Sequence, residues 1–540
     1  MAQHPAVAAR LARLAPDQRA AATAPPGPIL CVAPAGSGKT TTLVARVAWL
    51  VDSGVDPASI AAITFNRKAA EELSGRLAAA LGPLDVAAGA VRVRTFHALG
   101  LEILRAAGRP VAPLLDRETV LREVLPRTTA AERRRLDTVI SRLKLDLDVD
   151  PTAVAADPEA GPVARAFVAY EGALAAAGGL DFDDLVARAV RLLEGEPAIL
   201  ETWRDRCAHL LVDEAQDLDR SQLRLALLLA APANRIFLVG DDDQSIYGWR
   251  LADVRRLLGL AETSLPGLRR VDLVTNYRCP ASVVARAVRL VERNRERFAK
   301  RIAARPKAPG PVILAPVEAD DVDRCLAVLR SWASPGATGS GDSRAILART
   351  NRELLPAVVA ALALDVPFRA SGLELPVDSA HVDELLAAIR DAGPGPLLVT
   401  LARQRRVTAG GPAHQIVEAV LAWAPAFPDG AALETGIADV RARLARLRRD
   451  DAALTLATAH ATKGLEFDHV AVIGMDEGRF PSARSVAEAE DPPRALEEER
   501  RLAYVAWTRA RRSLILVYDP GAPSPFLREA FEPWELEPAA

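Results

Sequence analysis

A chain of 540 residues is too long for a single hydrophobic core and is expected to fold as about two to four domains. Half of the residues are hydrophobic, 26% are charged and the net charge is −2, which excludes a uniformly basic nucleic-acid-binding protein and is typical of soluble globular domains. The four cysteines have no C-x-x-C spacing, and no apolar run reaches the ~18 residues that a membrane span needs. We therefore expect no structural metal site, no membrane partner and a cytoplasmic location.

Short runs rich in Val, Ile and Leu alternate with longer helical patterns, and this alternation predicts parallel sheets covered by helices on both faces. The first group of runs comprises residues 29–33, 60–64, 91–95, 209–214, 235–241 and 271–275. The second group comprises residues 345–349, 454–458, 469–475 and 513–519. Two groups of strands predict two α/β domains. Two Arg-, Ala- and Leu-rich stretches without such runs, residues 101–186 and 393–453, predict helical insertions.

The first predicted strand is followed by a glycine-rich turn and a helical pattern, which is the context that a phosphate-binding loop requires. The usual pattern G-x-x-x-x-G-K-[ST] begins with glycine, and here Ala33 takes that place. Backbone N–H groups at the start of the helix can surround phosphates, Lys39 can reach the β- and γ-phosphates, and the Thr40 hydroxyl can bind Mg²⁺. The loop residues are Ala33, Pro34, Ala35, Gly36, Ser37, Gly38, Lys39 and Thr40. The alternative is a tight glycine turn before an ordinary helix.

The fourth predicted strand ends in LLVDEAQD, which places two acidic residues at its carboxyl end. Asp213 is a candidate Mg²⁺ ligand, and Glu214 is a candidate group to orient or deprotonate an attacking water. Acidic pairs are common at strand ends, but the A-Q-D that follows makes this sequence more specific. The distance along the chain between Lys39 and Asp213 leaves room for an inserted domain.

The fifth predicted strand ends in VGDDDQSIYGWR. Gln244 is a candidate contact to a γ-phosphate, whereas Tyr247 and Trp249 present two aromatic faces next to Arg250. Stacking of a base on an aromatic side chain is worth about 1–3 kcal/mol and tolerates any sequence. Both aromatic residues could instead fill a core, but their polar surroundings favour contact with nucleic acid.

The basic residues have an uneven distribution. Between positions 281 and 310 the sequence contains nine Arg and Lys residues but only two Glu residues. This stretch is either a solvated helix surface or a phosphate-binding strip. Only six of the 68 basic residues are lysines, which suggests that an ammonium group is specifically required where one is retained. The lysines are Lys39, Lys68, Lys144, Lys300, Lys307 and Lys463.

Taken in order, these segments resemble the motifs of the UvrD/Rep/PcrA group of superfamily 1 DNA helicases, and the resemblance extends over nearly the whole chain. LAPDQRAA (14–21) resembles the Q motif, ITFNRKAAEEL (63–73) motif Ia, RTFHALG (94–100) motif Ib, and LDFDDL (180–185) a segment that precedes motif II. VTNYRC (274–279) is similar to motif IV, TAHATKGLEF (458–467) to motif V and EEERRLAYVAWTRA (497–510) to motif VI. The resemblance implies an α/β fold with two RecA-like P-loop domains, parallel sheets flanked by helices, and helical insertions.

The resemblance also implies roles for individual residues, with ATP and Mg²⁺ as cofactors. Gln18 is expected to read the adenine edge, Tyr277 to stack on the adenine, and Glu466 to lie near the ribose. The implied catalytic residues are Lys39, Glu214, Gln244 and two γ-phosphate arginines, Arg278 and Arg509. The implied DNA contacts are Phe65, Asn66, Lys68, Thr95, His97, Tyr247, Trp249, Arg250, Thr458 and His460.

The motifs assign residues 1–100 and 187–280 to the first RecA-like domain, with residues 101–186 inserted in it. Residues 281–392 and 454–525 form the second domain, residues 393–453 are inserted in it, and residues 526–540 form a tail. The second insertion has 61 residues where the family usually has a much larger helical 2B domain, so we expect a reduced insertion and no C-terminal extension. Its Arg-rich helix, residues 441–449, either contacts duplex phosphates or is a solvated surface.

The resemblance implies that ATP closes a cleft between the two domains through its γ-phosphate arginines, and that hydrolysis reopens the cleft and drives 3′→5′ movement. The implied partners are single-stranded DNA and junctions with duplex DNA, together with repair or replication proteins. Pro34 and Leu251 replace residues that are often glycine in the family, and we expect these changes to alter the rates of the reaction more than to abolish it. The chain is therefore interpreted as a helicase in repair or replication, or as a translocase that does not unwind alone because its insertion is small. A scaffold with a degenerate ATPase is disfavoured by the intact catalytic set. The residues do not distinguish DNA from RNA.

Overall fold

The computed structural model describes residues 3–536, apart from 148, 150, 157–160, 335, 337, 340, 394, 409 and 410. The chain divides into two compact units, the first ending at Lys307 and the second beginning at Ala308. This division falls after the boundary at residue 280 that the motifs suggest. The reason is a short pair of parallel strands in which Thr275 and Asn276 pair with Ala303 and Ala304. Because of this pairing, the chain stays within the first unit as far as residue 304.

The first unit contains a six-stranded sheet whose strands are all parallel. Its strands are β1 (Ile29–Val32), β2 (Ile60–Thr64), β3 (Arg92–Thr95), β4 (His209–Val212), β5 (Ile236–Gly240) and β6 (Arg269–Asp272), in the order β3-β2-β4-β5-β1-β6. Because successive side chains point to opposite faces, Ile29 and Cys31 join one buried apolar cluster, and Leu30 and Val32 join another. Both faces of the sheet are covered, as the continuous apolar runs predict.

Fifteen α-helices lie in the described part of this unit, together with the short strands β7 (Thr275–Asn276) and β8 (Ala303–Ala304). The helices are α1 (Pro5–Ala12), α2 (Pro16–Ala22), α3 (Lys39–Asp52), α4 (Arg67–Leu81), α5 (Phe96–Ala106), α6 (Arg117–Val124), α7 (Ala130–Leu145), α8 (Pro151–Ala156), α9 (Pro162–Ala176), α10 (Asp184–Gly195), α11 (Pro197–Arg206), α12 (Arg220–Ala230), α13 (Val254–Leu258), α14 (Leu260–Thr263) and α15 (Ala281–Val291). Helices α6, α7 and α9 of the expected first insertion share a small apolar core of their own, which includes Leu121, Ile140 and Phe167.

The second unit contains another six-stranded parallel sheet. Its strands are β9 (Val312–Pro316), β10 (Arg344–Ala348), β11 (Phe368–Arg369), β12 (Leu454–Thr458), β13 (Phe467–Val472) and β14 (Ala510–Tyr518), in the order β11-β12-β10-β13-β14-β9. The sequence does not predict β9 or β11, which form the two edges of the sheet. Strand β11 has only two residues, and β9 begins directly after Pro311 and ends at Pro316. Two parallel sheets flanked by helices confirm the predicted fold class.

The helices of the second unit surround this sheet and build the second insertion. They are α16 (Asp321–Ala333), α17 (Leu355–Ala363), α18 (Ala380–Asp391), α19 (Leu397–Val407), α20 (Gly411–Trp423), α21 (Gly430–Leu447), α22 (Ala483–Ala487), α23 (Pro492–Trp507), α24 (Pro525–Ala530) and α25 (Pro533–Leu536). Helices α18 to α21 enclose a separate apolar cluster. Among the described residues, no single helix is long and apolar enough to cross a membrane, and one bent pair, Gly411–Ala426 with Gly430–Leu447, meets the length and composition test at an angle of 107°.

The Arg-rich segment at the end of α21 is bound to carboxylates of the same unit. Arg441 pairs with Asp383 at 2.7 Å, Arg446 with Asp365 at 2.8 Å, and Arg448 with Asp378 at 3.1 Å. These contacts favour the surface interpretation of this segment over a duplex-binding one.

Candidate nucleotide and nucleic-acid site

Most of the predicted site residues of the first unit follow the carboxyl ends of its parallel strands. The phosphate loop follows β1, Phe65 follows β2, the Asp213–Glu214 pair follows β4, and the segment from Asp241 to Arg250 follows β5. Because the strands are parallel, their carboxyl ends all lie along the same edge of the sheet. Ligands bind at this carboxyl edge in open α/β folds.

The loop after β1 has the backbone of a phosphate-binding loop. Gly36 and Gly38 have φ values of 68° and 85°, a left-handed region that favours glycine, and α3 begins at Lys39. A Cβ atom on Gly36 would lie 2.7 Å from Asn276 Oδ1, and one on Gly38 would lie 2.6 Å from Gln18 Nε2. Pro34 has no N–H to donate, but its carbonyl accepts a hydrogen bond from the Ser37 N–H at 3.1 Å and closes the turn.

The residues around this loop fit a nucleoside triphosphate with Mg²⁺. The Ser37 hydroxyl oxygen is buried and has no hydrogen-bond partner among the described residues, so it is a polar group that a ligand can satisfy. Lys39 Nζ lies 3.4 Å from Glu214 Oε2. Burial and the neighbouring Glu214 raise the pKa of Asp213 to about 7, and a bound cation would relieve both effects. Among the described residues, no group of three or more His, Cys, Asp and Glu side chains is arranged to hold a metal ion.

The turn that carries Tyr277 and Arg278 lies directly against the phosphate loop. The Tyr277 N–H donates to the Gly36 carbonyl at 2.9 Å, and Asn276 Oδ1 accepts from the N–H groups of Arg278 and Cys279 at 2.9 and 2.8 Å. The Tyr277 side chain is 41% exposed, so its ring is accessible to a base. The structure therefore brings the predicted adenine-stacking tyrosine and one predicted arginine to the loop.

Gln18 contacts the phosphate loop through its side chain. Its Nε2 donates to the Ser37 carbonyl at 2.7 Å, and its Oε1 accepts from the Ala15 N–H at 3.1 Å. Gln18 is buried in this arrangement, so its expected contact with adenine stays a prediction.

A chain of polar contacts connects Glu214 with the segment after β5. Gln216, a residue that sequence reasoning did not assign to the site, donates from Nε2 to Glu214 Oε2 at 2.5 Å and accepts the Asp241 N–H at 2.9 Å. Gln244 is also buried, and its Nε2 donates to Asp241 Oδ2 at 2.7 Å. The A-Q-D that follows Glu214 is the only sequence signal for Gln216. Asp241 is thus the common partner of both glutamines.

Phe65 and two aromatic residues of the segment after β5, Tyr247 and Trp249, form the stacked aromatic surface. The Phe65 and Tyr247 rings lie 5.1 Å apart and nearly parallel, at 8°, and the Trp249 ring meets Tyr247 edge-on at 6.1 Å. Trp249 is 58% exposed, and the Arg250 guanidinium lies 4.8 Å from the centre of its ring. The exposure of Trp249 contradicts the alternative that it fills a core.

The other predicted DNA contacts of the first unit lie near the same edge. Asn66 and Thr95 accept N–H groups at the first turns of α4 and α5, so their oxygens also cap helices, whereas Lys68 is exposed. The His97 ring stacks on Phe182 at 4.0 Å, and burial, with a smaller contribution from Arg250, lowers the pKa of His97 to about 4. Phe182 is 60% exposed, which makes it a further candidate contact that the sequence analysis missed. The signal for it is a scarce aromatic residue within the acidic segment LDFDDL.

The basic stretch between residues 281 and 310 is not uniformly solvated. Arg297 forms two contacts with Asp243, at 2.9 and 2.8 Å, and the side chain of Lys300 is fully buried among Asp241, Asp242 and Asp243. Two of the nine basic residues therefore balance buried carboxylates of the segment after β5, and neither interpretation from the sequence describes them.

The second unit holds the remaining predicted site residues. Thr458 ends β12, and burial, with Arg349 and Lys463, lowers the pKa of His460 to about 4. Glu466 is exposed and lies 3.3 Å from Arg511. Arg509 is 1% exposed and donates to the carbonyls of Val505 and Leu465 at 2.8 and 3.0 Å. The roles expected for these residues stay predictions.

Comparisons with known proteins identify the family of the chain. Residues 14–264 match the UvrD/REP helicase N-terminal domain, and residues 438–520 match the UvrD-like helicase C-terminal domain. The chain is 32% identical to the ATP-dependent DNA helicase UvrD2 of Mycobacterium tuberculosis (strain H37Rv), over 94% of this chain and 78% of that protein. It is 29% identical to DNA helicase II of Escherichia coli K12, over 93% of this chain and 84% of that protein, and 28% identical to the ATP-dependent DNA helicase PcrA of Leuconostoc citreum, over 91% and 80%. The alignment with the Escherichia coli protein spans 612 positions, more than this chain has residues, so that relative carries segments that this chain lacks. The chain belongs to the UvrD/Rep/PcrA family of superfamily 1 helicases.

Proposed function

We propose that this protein is an ATP-dependent DNA helicase or translocase that moves 3′→5′ along single-stranded DNA and serves in DNA repair or replication. The observation that carries the proposal is the segment from Asp241 to Arg250. At one end it contacts Gln216, the partner of Glu214, and at the other it presents Tyr247 and Trp249 on a stacked aromatic surface. One short segment therefore touches both the candidate hydrolytic site and the candidate base-stacking surface.

The chain's own residues supply the hydrolytic site. Lys39 and the N–H groups at the start of α3 would hold the phosphates, and Asp213 and Thr40 would hold Mg²⁺. Glu214 would orient a water and accept its proton, since Gln216 fixes its carboxylate. Bound ATP supplies the phosphoanhydride bond whose hydrolysis provides the free energy for movement. Arg278 and Arg509 are proposed to stabilise charge on the γ-phosphate, which is the role that their motifs suggest.

The single-stranded DNA is proposed to lie on the exposed Trp249 and the half-buried Tyr247. Trp249 and Tyr247 stack bases without reading their sequence, and Arg250 beside them adds a positive charge near the backbone. This mode of binding fits an enzyme that has to move along any sequence. The relatives named above are DNA helicases by their names, and this supports DNA as the nucleic acid.

The second candidate is a translocase that does not unwind duplex DNA alone. It is favoured by the small second insertion and by the carboxylates that pair with the arginines at the end of α21. These contacts leave that segment less suited to duplex phosphates.

Strand displacement tests the proposal and separates the two candidates. Matched duplexes with a 3′ or a 5′ single-stranded tail are incubated with ATP and Mg²⁺, with Glu214→Gln as the inactive control. Displacement only from the 3′ tail would support an autonomous 3′→5′ helicase, and failure on both tails with DNA-stimulated ATPase intact would support the translocase. ATPase activity that neither DNA nor Lys39→Ala changes would refute both candidates. Stimulation by RNA alone would refute the assignment to DNA.

A further inference from the structure

Lys300 occupies a cage of three consecutive carboxylates. Its Nζ lies 2.8 Å from Asp241 Oδ1 and 2.9 Å from Asp243 Oδ2, and it also contacts Asp242 Oδ1. The four side chains are 0% exposed, and Arg297 adds a second cation on Asp243. Burial opposes the charged form of Lys300, but the carboxylates outweigh this effect and raise its pKa above the ordinary value.

The cage leads directly to the candidate catalytic residues. Asp241 holds Gln244 through its carboxylate and Gln216 through its backbone N–H, and Gln216 holds Glu214. The residues from Lys300 to Glu214 therefore form an unbroken series of polar contacts. Along the chain, Lys300 lies three residues before the start of β8 and close to Lys307, where the first unit ends.

We propose that Lys300 is a positioning residue for hydrolysis: it fixes the turn from Asp241 to Gln244 and thereby the orientation of Gln244 and Glu214. This inference rests on the proposed function, since it assigns a role in the same reaction. Lys300 touches neither the phosphate loop nor the stacked aromatic residues in the contacts described above. It acts through Asp241.

The physical reason is the balance of charge inside the cage. Three carboxylates share two cations, and burial with the neighbouring carboxylates raises the pKa of Asp242 to about 6 in spite of Lys300. Without the ammonium, three buried carboxylates would face Arg297 alone, and their repulsion would move the turn or draw in protons. Either outcome weakens the hold of Asp241 on Gln244.

The same unit offers a matched control. Lys144 of α7 is also almost fully buried, and it pairs with Glu171, Asp181 and Asp184 at 2.9, 3.0 and 2.9 Å. Removal of either lysine leaves three carboxylates without their ammonium group, although Glu171 is only partly buried. The contacts of Lys144 join the first insertion to the start of α10, and none of them reaches Asp241 or Glu214.

The test compares Lys300→Met with Lys144→Met in the full-length protein. ATP hydrolysis is measured with and without single-stranded DNA, and circular dichroism checks that both variants are folded. We expect Lys300→Met to lower kcat by about 10- to 100-fold with the KM for ATP almost unchanged, and Lys144→Met to keep kcat within about twofold of wild type. Equal losses of kcat in both variants, or wild-type kcat in folded Lys300→Met, would overturn the proposal.

A second pair of variants decides the question if Lys300→Met does not fold. Asp241→Asn and Asp243→Asn each remove one carboxylate from the same cage, but only Asp241 contacts Gln244. We expect a loss of kcat of about tenfold in Asp241→Asn and a clearly smaller one in Asp243→Asn, because a misplaced catalytic group slows the reaction more than the loss of a charge that does not contact that group. Equal values of kcat would refute the positioning role. Wild-type protein without any ATPase activity would instead refute the proposed function.

Discussion

The substitution Gly36→Ala tests whether the phosphate loop depends on its close approach to the Tyr277–Arg278 turn. Gly36 has a φ of 68°, and an added Cβ would lie 2.7 Å from Asn276 Oδ1 and 2.8 Å from Arg278 Cβ. The left-handed conformation costs a non-glycine residue about 1–2 kcal/mol, and overpacking of this kind costs about 1–3 kcal/mol more. We therefore expect a local loss of about 2–5 kcal/mol in the stability of this region.

Hydrogen exchange of the amides in β1 and α3 measures this loss as the free energy of local opening. Gly54→Ala is the matched control, because Gly54 has a φ of 93° but nothing lies within 4 Å of its added Cβ. It should lose only the conformational term of about 1–2 kcal/mol. Gly36→Ala should also weaken the binding of a fluorescent ATP analogue by at least about tenfold, since each 1.4 kcal/mol changes affinity tenfold. Equal losses of stability and unchanged nucleotide affinity in the two variants would refute the reasoning.

Three further substitutions test other parts of the site. Trp249→Ala should weaken single-stranded DNA binding by about 1–3 kcal/mol in fluorescence anisotropy and leave nucleotide affinity unchanged, and unaltered DNA affinity would contradict the stacking role. Gln18→Ala leaves the Ser37 carbonyl without its buried donor, so ATP affinity should fall by about 1–3 kcal/mol in calorimetry, together with the preference for ATP over GTP. An unchanged preference would rule out the adenine contact. The folded-state pKa of His97 is about 4, below the unfolded value of about 6.5, so the unfolded chain binds more protons in this range and stability is lost as the pH falls from 6.5 to 4. His97→Gln should remove up to about 3 kcal/mol of that loss, measured by hydrogen exchange in α5 at pH 7 and pH 4.5, and an identical pH dependence in both proteins would contradict the assignment.

The central strands were predictable because they are buried on both faces and therefore appear as continuous apolar runs. Ile29 to Val32 illustrates this, since its four side chains divide between two clusters and all are buried. The edge strands β9 and β11 were not predictable from pattern, because one lies between prolines and the other has two residues. A strand of two residues carries no periodicity, and it is defined by its pairing with Leu454 and Thr455.

The candidate site was predictable where function depends on residue type at a fixed local spacing. Gly36, Gly38 and Lys39 show this, because the turn, the close approach and the helix start are all encoded within a few residues. Phe182 and Gln216 were missed for the opposite reason. Their significance lies in contacts with His97 and with Asp241, which are distant in the sequence and become neighbours only through the fold.

Two buried positions give a physical reason why lysine is retained at particular places in this chain. Lys144 and Lys300 each meet three carboxylates, and an ammonium group has three N–H donors on a compact charge that can point to three different partners. A guanidinium is planar and larger, and it can also meet three carboxylates, as Arg117 does with Asp137, Asp181 and Asp183. What distinguishes the Lys300 site is its complete burial, since all four side chains are 0% exposed, and a compact ammonium group fits such a closed space. Lysine therefore occurs both in the phosphate loop, as Lys39, and in the cage of three aspartates that we propose to position the hydrolytic site, as Lys300.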